Sequence, residues 1–118
     1  MTKTAVHIPY ADWARAPGAW SGRIEGAATG TDVTVLFFSS DKVGAGPVLH
    51  VHTYDEIFIV REGRALFTIG DQRIEAGAGD VLMGPAGVPH KFENLGPGRL
   101  ETTDIHLNPV FEQQDLEP

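Results

Sequence analysis

The amino-acid sequence predicts an all-β fold, a jelly-roll barrel of two sheets in a single domain. With 118 residues, the chain is long enough to bury one hydrophobic core without disulfides to hold it together. Its fourteen glycines and eight prolines separate short apolar runs along the whole chain, instead of collecting in one disordered tract. About ten such runs follow one another at regular spacing, which is typical of sandwiches and barrels built from short strands.

Composition and charge favour small molecules as the partners of this chain. Nine basic residues against sixteen acidic ones give a net charge of −7, which argues against a surface for nucleic acid or for anionic membranes. Cysteine is absent from the sequence, so disulfides and thiolate–metal bonds are excluded. The first residues lack the apolar segment of a signal peptide, and no apolar run approaches the roughly 20 residues that a membrane helix needs. We therefore expect a cytoplasmic protein.

The N-terminal part of the chain shows no sustained hydrophobic period. We interpret residues 1–19 as an arm that pairs with a neighbouring subunit, because an uncovered edge strand is a liability in a small barrel. The barrel itself is predicted over residues 20–108. Its first strands are expected at 20–25, 32–38 and 48–52, and they are separated by the glycine-containing segment 26–30 and the polar loop 39–46.

The second half of the barrel is predicted from side chains that alternate between two faces. Glu56, Phe58 and Val60 share one face of a strand, and the residues between them share the other. Glycine-containing turns separate the strands that follow. The strands expected in this half are 56–60, 65–69, 73–75, 81–83, 90–94 and 100–107.

The C-terminal end is predicted to leave the barrel as a helical turn and a tail. Asn108 followed by Pro109 resembles the cap and the first position of a helix. We therefore expect one helical turn at this point. Residues 109–118 form an acidic C-terminal tail in this interpretation.

Two histidines and a glutamate at close spacing form the first half of a candidate metal site. His50 and His52 are two residues apart in a predicted strand, so their side chains point to the same face. Glu56 follows after residues 53–55, which we interpret as a turn into a second strand that faces the first. Three ligands would then converge from one hairpin.

A third histidine completes the candidate site from a more distant part of the chain. Pro85 and Gly87 predict a tight turn that places His90 at the start of a strand. Imidazole nitrogens together with one carboxylate suit first-row transition metals. The sequence therefore predicts one divalent transition metal bound by four side chains, His50, His52, Glu56 and His90.

The same residues resemble the two sequence motifs of the cupin superfamily. The first motif is Gly, five residues, His-X-His, three or four residues, Glu, six residues and Gly, and it is matched by Gly44, His50, His52, Glu56 and Gly63. The second is Gly, five residues, Pro-X-Gly, two residues, His, three residues and Asn, and it is matched by Gly79, Pro85, Gly87, His90 and Asn94. Ten matches at fixed spacing are improbable by chance, since each residue type occurs at roughly one position in twenty.

The resemblance implies a cupin-type double-stranded β-helix over 20–108, and a homodimer, because many members of that family are dimers. Four protein ligands would saturate a tetrahedral zinc ion and close the site. An ion that takes six ligands, such as iron, manganese, nickel or cobalt, keeps two adjacent positions open for substrate or dioxygen. The ligand set therefore favours a six-coordinate ion, while the choice among Fe, Mn, Ni, Co and Zn stays open.

The last predicted strand offers a candidate base, His106. It shares one face with Thr102 and Asp104, and an inward orientation of that face would make His106 a general base and Asp104 part of the substrate pocket. The opposite face carries Ile105 and Leu107, and a barrel interior is usually its apolar side. This favours the alternative, in which His106 is solvated or lies at an interface, and both orientations stay open.

Three aromatic residues near the ligands have two interpretations each. Tyr54 either donates a hydrogen bond to the substrate or packs at the mouth of the barrel. Phe58 and Phe92 share faces with predicted ligands, so they line the substrate pocket or belong to the core.

The resemblance and the ligands predict a metal-dependent enzyme that acts on a small oxygenated organic molecule. Oxygenation is favoured because the cupin superfamily includes dioxygenases. The alternatives are redox-neutral isomerase, lyase or epimerase chemistry, which needs the metal and a base such as His106, and a non-catalytic module that binds a sugar or an organic acid. The substrate depends on the shape of the pocket, which the motifs do not encode.

Overall fold

Two five-stranded antiparallel sheets form the protein in the computed structural model, which describes residues 3–118. In spatial order, the first sheet contains β1 (Gly22–Ile24), β2 (Thr34–Ser40), β9 (Leu100–His106), β4 (Glu56–Glu62) and β7 (Val81–Gly84). The second contains β10 (Gln114–Asp115), β3 (His50–Val51), β8 (His90–Asn94), β5 (Arg64–Ile69) and β6 (Gln72–Gly77). The two sheets confirm the predicted all-β jelly-roll fold.

The hydrophobic core lies between the two sheets. Phe58 and Val60 alternate inward along β4, and the same period brings Phe67 of β5 and Phe92 of β8 to face them. The ring centroids of Phe58 and Phe67 are 5.1 Å apart, and those of Phe67 and Phe92 are 5.2 Å apart. Each such side chain contributes about 1.5–3 kcal/mol to stability when it is fully buried. Polar residues occupy the neighbouring inward-facing positions of the same strands.

The predicted hairpin between His52 and Glu56 is wrong. β3 belongs to the second sheet and β4 to the first, so residues 53–55 cross from one sheet to the other. β3 pairs with β8 and β10, which leaves no side free for β4. The ligands still converge, because they face one another across the barrel instead of along one hairpin.

The predicted helical turn at Asn108 and Pro109 is also wrong. The backbone groups in this region bond to other parts of the chain: the carbonyl of Pro109 accepts from the amide of Gly26 at 2.8 Å, and the Glu25 carboxylate accepts from the amide of Phe111 at 2.7 Å. With these partners the segment bends instead of closing a turn. It then continues into β10, which pairs with β3.

Two four-residue helices, α1 (Tyr10–Trp13) and α2 (Gly26–Thr29), occupy segments where the sequence predicted none. The N-terminal arm packs on its own barrel: the ring of Trp13 stacks on Phe37 at 3.7 Å, and the amide of Arg15 donates to the carbonyl of Ser21 at 2.9 Å. Pairing of the arm with a neighbouring subunit and homodimerisation stay predictions, and the first two residues of the arm lie outside the described part. Within residues 3–118, no helix has the length and hydrophobicity to cross a membrane.

Candidate metal centre

The four predicted ligands meet at one end of the barrel interior. His50 and His90 lie directly opposite each other in the ladder of β3 and β8, and Glu56 begins β4 in the facing sheet. With His52, they are each at most 4 % exposed. One donor atom from each residue lies within 4.8 Å of the others.

A glycine makes room for one of these ligands. Gly84 of β7 lies opposite Glu56 in the ladder of the first sheet. A Cβ atom at Gly84 would approach both Nδ1 of His90 and the ring of Phe58 to 3.2 Å, which is tighter than ordinary packing. The absence of a side chain at this position therefore lets His90 and Phe58 keep their places beside Glu56.

Backbone carbonyls orient the three imidazole rings. Nδ1 of His50 lies 2.6 Å from the carbonyl oxygen of Val48, and Nδ1 of His52 lies 2.6 Å from that of Glu112. His90 makes a longer contact of 3.3 Å with the carbonyl of Val88. A carbonyl oxygen accepts hydrogen bonds only, so each Nδ1 carries a proton, and in the neutral ring this tautomer leaves the lone pair on Nε2. These Nε2 atoms are the donors that a metal ion requires.

An unsatisfied polar atom of the cluster fits a bound cation. Oε1 of Glu56 lies 3.1 Å from Nε2 of His52 and 3.1 Å from Nε2 of His90. Nε2 of His52 is nevertheless buried without a hydrogen-bond partner among residues 3–118. A buried lone pair without a partner is costly in an apolar interior. Three neutral nitrogens and one carboxylate suit a divalent first-row transition metal.

The electrostatic environment keeps two of the ligands, Glu56 and His50, in the protonation states that bind metal. Burial by itself would raise the pKa of Glu56, but its contacts with His106, His52 and His90 outweigh burial and hold that pKa well below its usual range. Burial lowers the pKa of His50, which favours the neutral imidazole. Glu56 is therefore a carboxylate and His50 is neutral at physiological pH, as metal binding demands.

The structure places His106 inside the barrel, next to the candidate ligands. Its side chain is 2 % exposed, and its Nε2 lies 3.2 Å from Oε2 of Glu56. The polar face of β9 is therefore the inner one. The apolar residue Ile105 faces outward, where it lies in register with Val35 and Ile57 of the flanking strands.

Tyr54 contacts His106 on the side away from Glu56. The phenol oxygen lies 2.7 Å from Nδ1 of His106 and 2.8 Å from the carbonyl oxygen of Glu112. Burial raises the pKa of Tyr54, so the phenol keeps its proton. The phenol can donate a hydrogen bond to Nδ1 of His106 or to the carbonyl of Glu112. The acceptor that it uses determines which nitrogen of His106 carries hydrogen.

The C-terminal segment contributes contacts that the sequence did not predict. The carbonyl of Glu112 accepts from both His52 and Tyr54, and the ring of Phe111 lies 5.5 Å from that of His106. Phe111 and Glu112, within residues 109–118, thus contact the candidate site. The aromatic Phe111 in an otherwise acidic segment was the one available signal, because a contact through a backbone carbonyl leaves no trace in the sequence.

Removal of this segment is expected to weaken metal binding. A chain that ends at Asn108 loses the carbonyl that orients His52, and loss of such an outer contact typically costs 10–100-fold in affinity. A competition titration against a chromophoric chelator measures the change. Glu112→Ala is the matched control, since it keeps the carbonyl and should bind metal as the wild type does. Equal affinity in the shortened chain would contradict this role for the segment.

Two of the candidate ligands, His50 and Glu56, border a cavity of about 340 Å³. Leu36, Phe38, Phe92 and Phe111 supply apolar walls, and His50, Glu56, Asp104 and His106 supply polar groups. Phe92 and Asp104 both line this cavity, and Phe92 also belongs to the hydrophobic core, so their place in a substrate pocket stays a prediction. Phe58 instead belongs to the core, and Tyr54 lies behind His106 and does not contribute to the lining.

Asp104 is expected to make the folded state less stable as the pH rises. Burial, reinforced by the charge of Glu56, raises the pKa of Asp104 well above its ordinary value of 3.8. The folded protein therefore holds a proton that the unfolded chain releases above about pH 4, and stability falls with pH through this interval, by on the order of 1 kcal/mol per pH unit at most.

Asp104→Asn removes this titration. In the presence of a metal chelator, the free energy of unfolding of the variant should exceed that of the wild type by more at pH 7.5 than at pH 5, as measured by urea denaturation. An excess that is the same at both pH values would show that Asp104 is ionised in the folded protein.

Comparison with known proteins identifies the family and supports the fold. A sequence model of the cupin domain matches residues 37–106. An uncharacterised protein of Methanocaldococcus jannaschii is 42% identical over 55 residues, which are 46% of this chain and 44% of that protein. Acireductone dioxygenase of Geobacillus kaustophilus is 33% identical over 67 residues, 52% of this chain and 37% of the enzyme. The matched part thus spans less than half the length of each of these curated relatives.

Solved structures share the fold at low sequence identity. Oxalate decarboxylase of Bacillus subtilis, studied for its Mn(II) centres, superposes with a TM-score of 0.74 at 20% identity over 80% of this chain and 27% of that chain. A protein of unknown function from Streptococcus pyogenes gives a TM-score of 0.60 at 23% identity over 69% of this chain and 68% of its own. These likenesses show the fold alone.

Proposed function

Because this chain belongs to the cupin family, we propose that it is a metal-dependent dioxygenase that acts on a small oxygenated organic molecule. The observation that carries the proposal is the buried cluster of three histidines and one glutamate, whose donor atoms lie within 4.8 Å of one another beside a cavity of about 340 Å³. This size lies near the lower end of the range for ligand pockets, which suits a small substrate.

The residues that would hold the metal are His50, His52, Glu56 and His90. When bound there, a six-coordinate ion such as iron, manganese, nickel or cobalt supplies Lewis acidity toward substrate oxygens and open positions for substrate and dioxygen. Oxygenation is supported as the reaction class by the two similar acireductone dioxygenases of Geobacillus, at 33% and 31% identity. Apolar walls around the cavity limit the access of water to the reacting atoms.

His106 is the side chain placed to move a proton. If the Tyr54 hydroxyl donates to the carbonyl of Glu112, Nδ1 of His106 donates to the phenol oxygen and Nε2 is left as a base that faces the cluster. If the hydroxyl donates to Nδ1 instead, Nε2 carries hydrogen and donates to Oε2 of Glu56 at 3.2 Å. Rotation of one hydroxyl thus prepares His106 to accept or to donate a proton. Tyr54 acts as a positioning residue.

Dioxygen uptake tests the reaction class. Protein reconstituted with iron, manganese, nickel or cobalt would be incubated with enolisable hydroxy- and oxo-carbonyl compounds in an oxygen electrode, with substrate loss followed by chromatography. We expect dioxygen to be consumed in proportion to substrate, and no consumption with His50→Ala. Substrate loss without dioxygen uptake would indicate redox-neutral chemistry instead of dioxygenation. Unchanged substrate would indicate a non-catalytic binding module.

Redox-neutral isomerase, lyase or epimerase chemistry is the second candidate. It is favoured by the inward position of His106 and its contact with Tyr54 at 2.7 Å, because proton transfer on a metal-held substrate needs a base but no dioxygen. An anaerobic assay separates the two functions. Turnover that is unaffected when dioxygen is removed would establish this second candidate.

A further inference from the structure

Asp104 is a buried carboxyl group that the proposed chemistry does not use. It lies in the middle of β9, in register with Leu36 on one side and Phe58 on the other, and it is 5 % exposed. Its Oδ2 accepts a hydrogen bond from the hydroxyl of Thr102 at 3.2 Å. Its Oδ1 is buried and has no hydrogen-bond partner within the part of the chain that the structure describes.

This arrangement is costly for the fold. A buried polar atom without a partner destabilises a protein, and apolar neighbours on both flanking strands offer Asp104 no compensation. A leucine at this position would pack with Leu36 and Phe58 without that cost. Asp104 also lines the cavity that borders His50, Glu56 and His106.

The register of β4 and β9 gives the approximate distance from the candidate ligands to Asp104. Glu56 lies opposite His106 in the ladder of β4 and β9, and Asp104 lies opposite Phe58, two residues farther along each strand. Two residues of a strand span about 6.6 Å. A short molecule with one end at the ligand cluster therefore reaches Oδ1 of Asp104 with an atom a few bonds away.

We propose that Asp104 binds a hydroxyl group of the substrate, and that the substrate is a short hydroxylated organic acid whose other end lies at the four-ligand cluster. The proposal rests on the proposed function, because the cluster anchors the acid. A hydroxyl can both donate to and accept from a carboxyl group, so it satisfies Oδ1 whichever partner holds the proton. A second carboxylate at this place would lie close to the negative charge of Glu56 and is disfavoured. Leu36, Phe38 and Phe92 contact the carbon chain.

Two acids of equal length test the role of Asp104. 4-Hydroxy-2-oxopentanoate carries a hydroxyl beyond its oxo-acid end, and 2-oxopentanoate lacks it. Each acid would be titrated anaerobically into cobalt-loaded protein, with binding followed by calorimetry and by the visible spectrum of the cobalt ion. We expect the wild type to bind the hydroxy acid about 10-fold more tightly, the ratio that one hydrogen bond in a buried site contributes.

Two substitutions separate hydrogen bonding from shape. Asp104→Asn keeps the size of the side chain and a polar group toward the cavity, so it should retain most of the preference for the hydroxy acid. Asp104→Leu should lose the preference, while its affinity for cobalt and for 2-oxopentanoate stays within about two-fold of the wild type. Thermal unfolding of each cobalt-loaded variant verifies that it is folded.

The order of the titrations distinguishes failure of this inference from failure of the proposed function. Cobalt is titrated first, and absence of cobalt binding in the wild type would overturn the proposed function and the anchor assumed here. A second outcome is that cobalt binds while the wild type binds both acids with equal affinity or binds neither acid. That result would refute the role of Asp104 and leave the proposed function standing. The same conclusion follows if Asp104→Leu keeps the 10-fold preference.

Discussion

His90→Ala is expected to lower the affinity of the protein for a divalent metal ion by at least about 100-fold. Loss of an outer contact to a ligand already costs 10–100-fold, and His90 is one of four donors in the candidate site. The substitution also removes the ring whose Nε2 lies 3.1 Å from Oε1 of Glu56. Competition with a chromophoric chelator under anaerobic conditions measures the affinity.

His7→Ala is the matched control for this variant. His7 is an exposed histidine of the N-terminal arm, so its removal changes the histidine content without changing the cluster. It should bind metal as tightly as the wild type. Circular dichroism of both metal-free variants checks that the barrel is folded. If His90→Ala bound metal with unchanged affinity, the three histidines and Glu56 would not be the metal site.

His106→Gln is expected to reduce turnover by 10²–10⁴-fold while the metal stays bound. The range is that of general acid–base catalysis by a positioned side chain. Glutamine has nearly the size of histidine and can still donate to Oε2 of Glu56, but it cannot take up a proton near neutral pH. Steady-state kinetics and metal content of the same preparation measure the two effects.

Tyr54→Phe separates the base from the group that orients it. The variant loses only the hydroxyl that lies 2.7 Å from Nδ1 of His106. We therefore expect kcat to fall by only about 10-fold and the dependence of kcat on pH to change. Loss of the metal from His106→Gln would instead identify His106 as a ligand. Unchanged turnover in His106→Gln would refute its role as a base.

The ligand set and the strand pattern were accessible from the sequence because both depend on side-chain alternation. His50 and His52 two residues apart must share a face, and in β8 the same alternation places His90 and Phe92 inward. Alternation does not say which face is the inner one. In β9 the apolar side faces out and His106 faces in, so the usual rule of apolar interiors failed at this strand.

The path of the chain between strands was harder to predict from the sequence. Residues 53–55 are equally compatible with a hairpin and with a crossing between sheets, and only the pairing of β3 with β8 and β10 decides between them. The contact of His52 with Glu112 spans 60 residues and uses a backbone carbonyl. The sequence named Asp104 as a pocket candidate, but the hydroxyl-binding role proposed for it depends on the cavity and on the unpartnered oxygen, which the sequence does not show.

The most direct test of the account is the metal content of protein purified without chelator and without a metal-affinity tag, compared with His50→Ala. The account predicts about one divalent transition metal ion per wild-type chain, measured by mass spectrometry of the elements, and none in the variant. Wild-type protein that contains no metal, and binds none when reconstituted, would contradict the metal centre and the dioxygenase proposed from it.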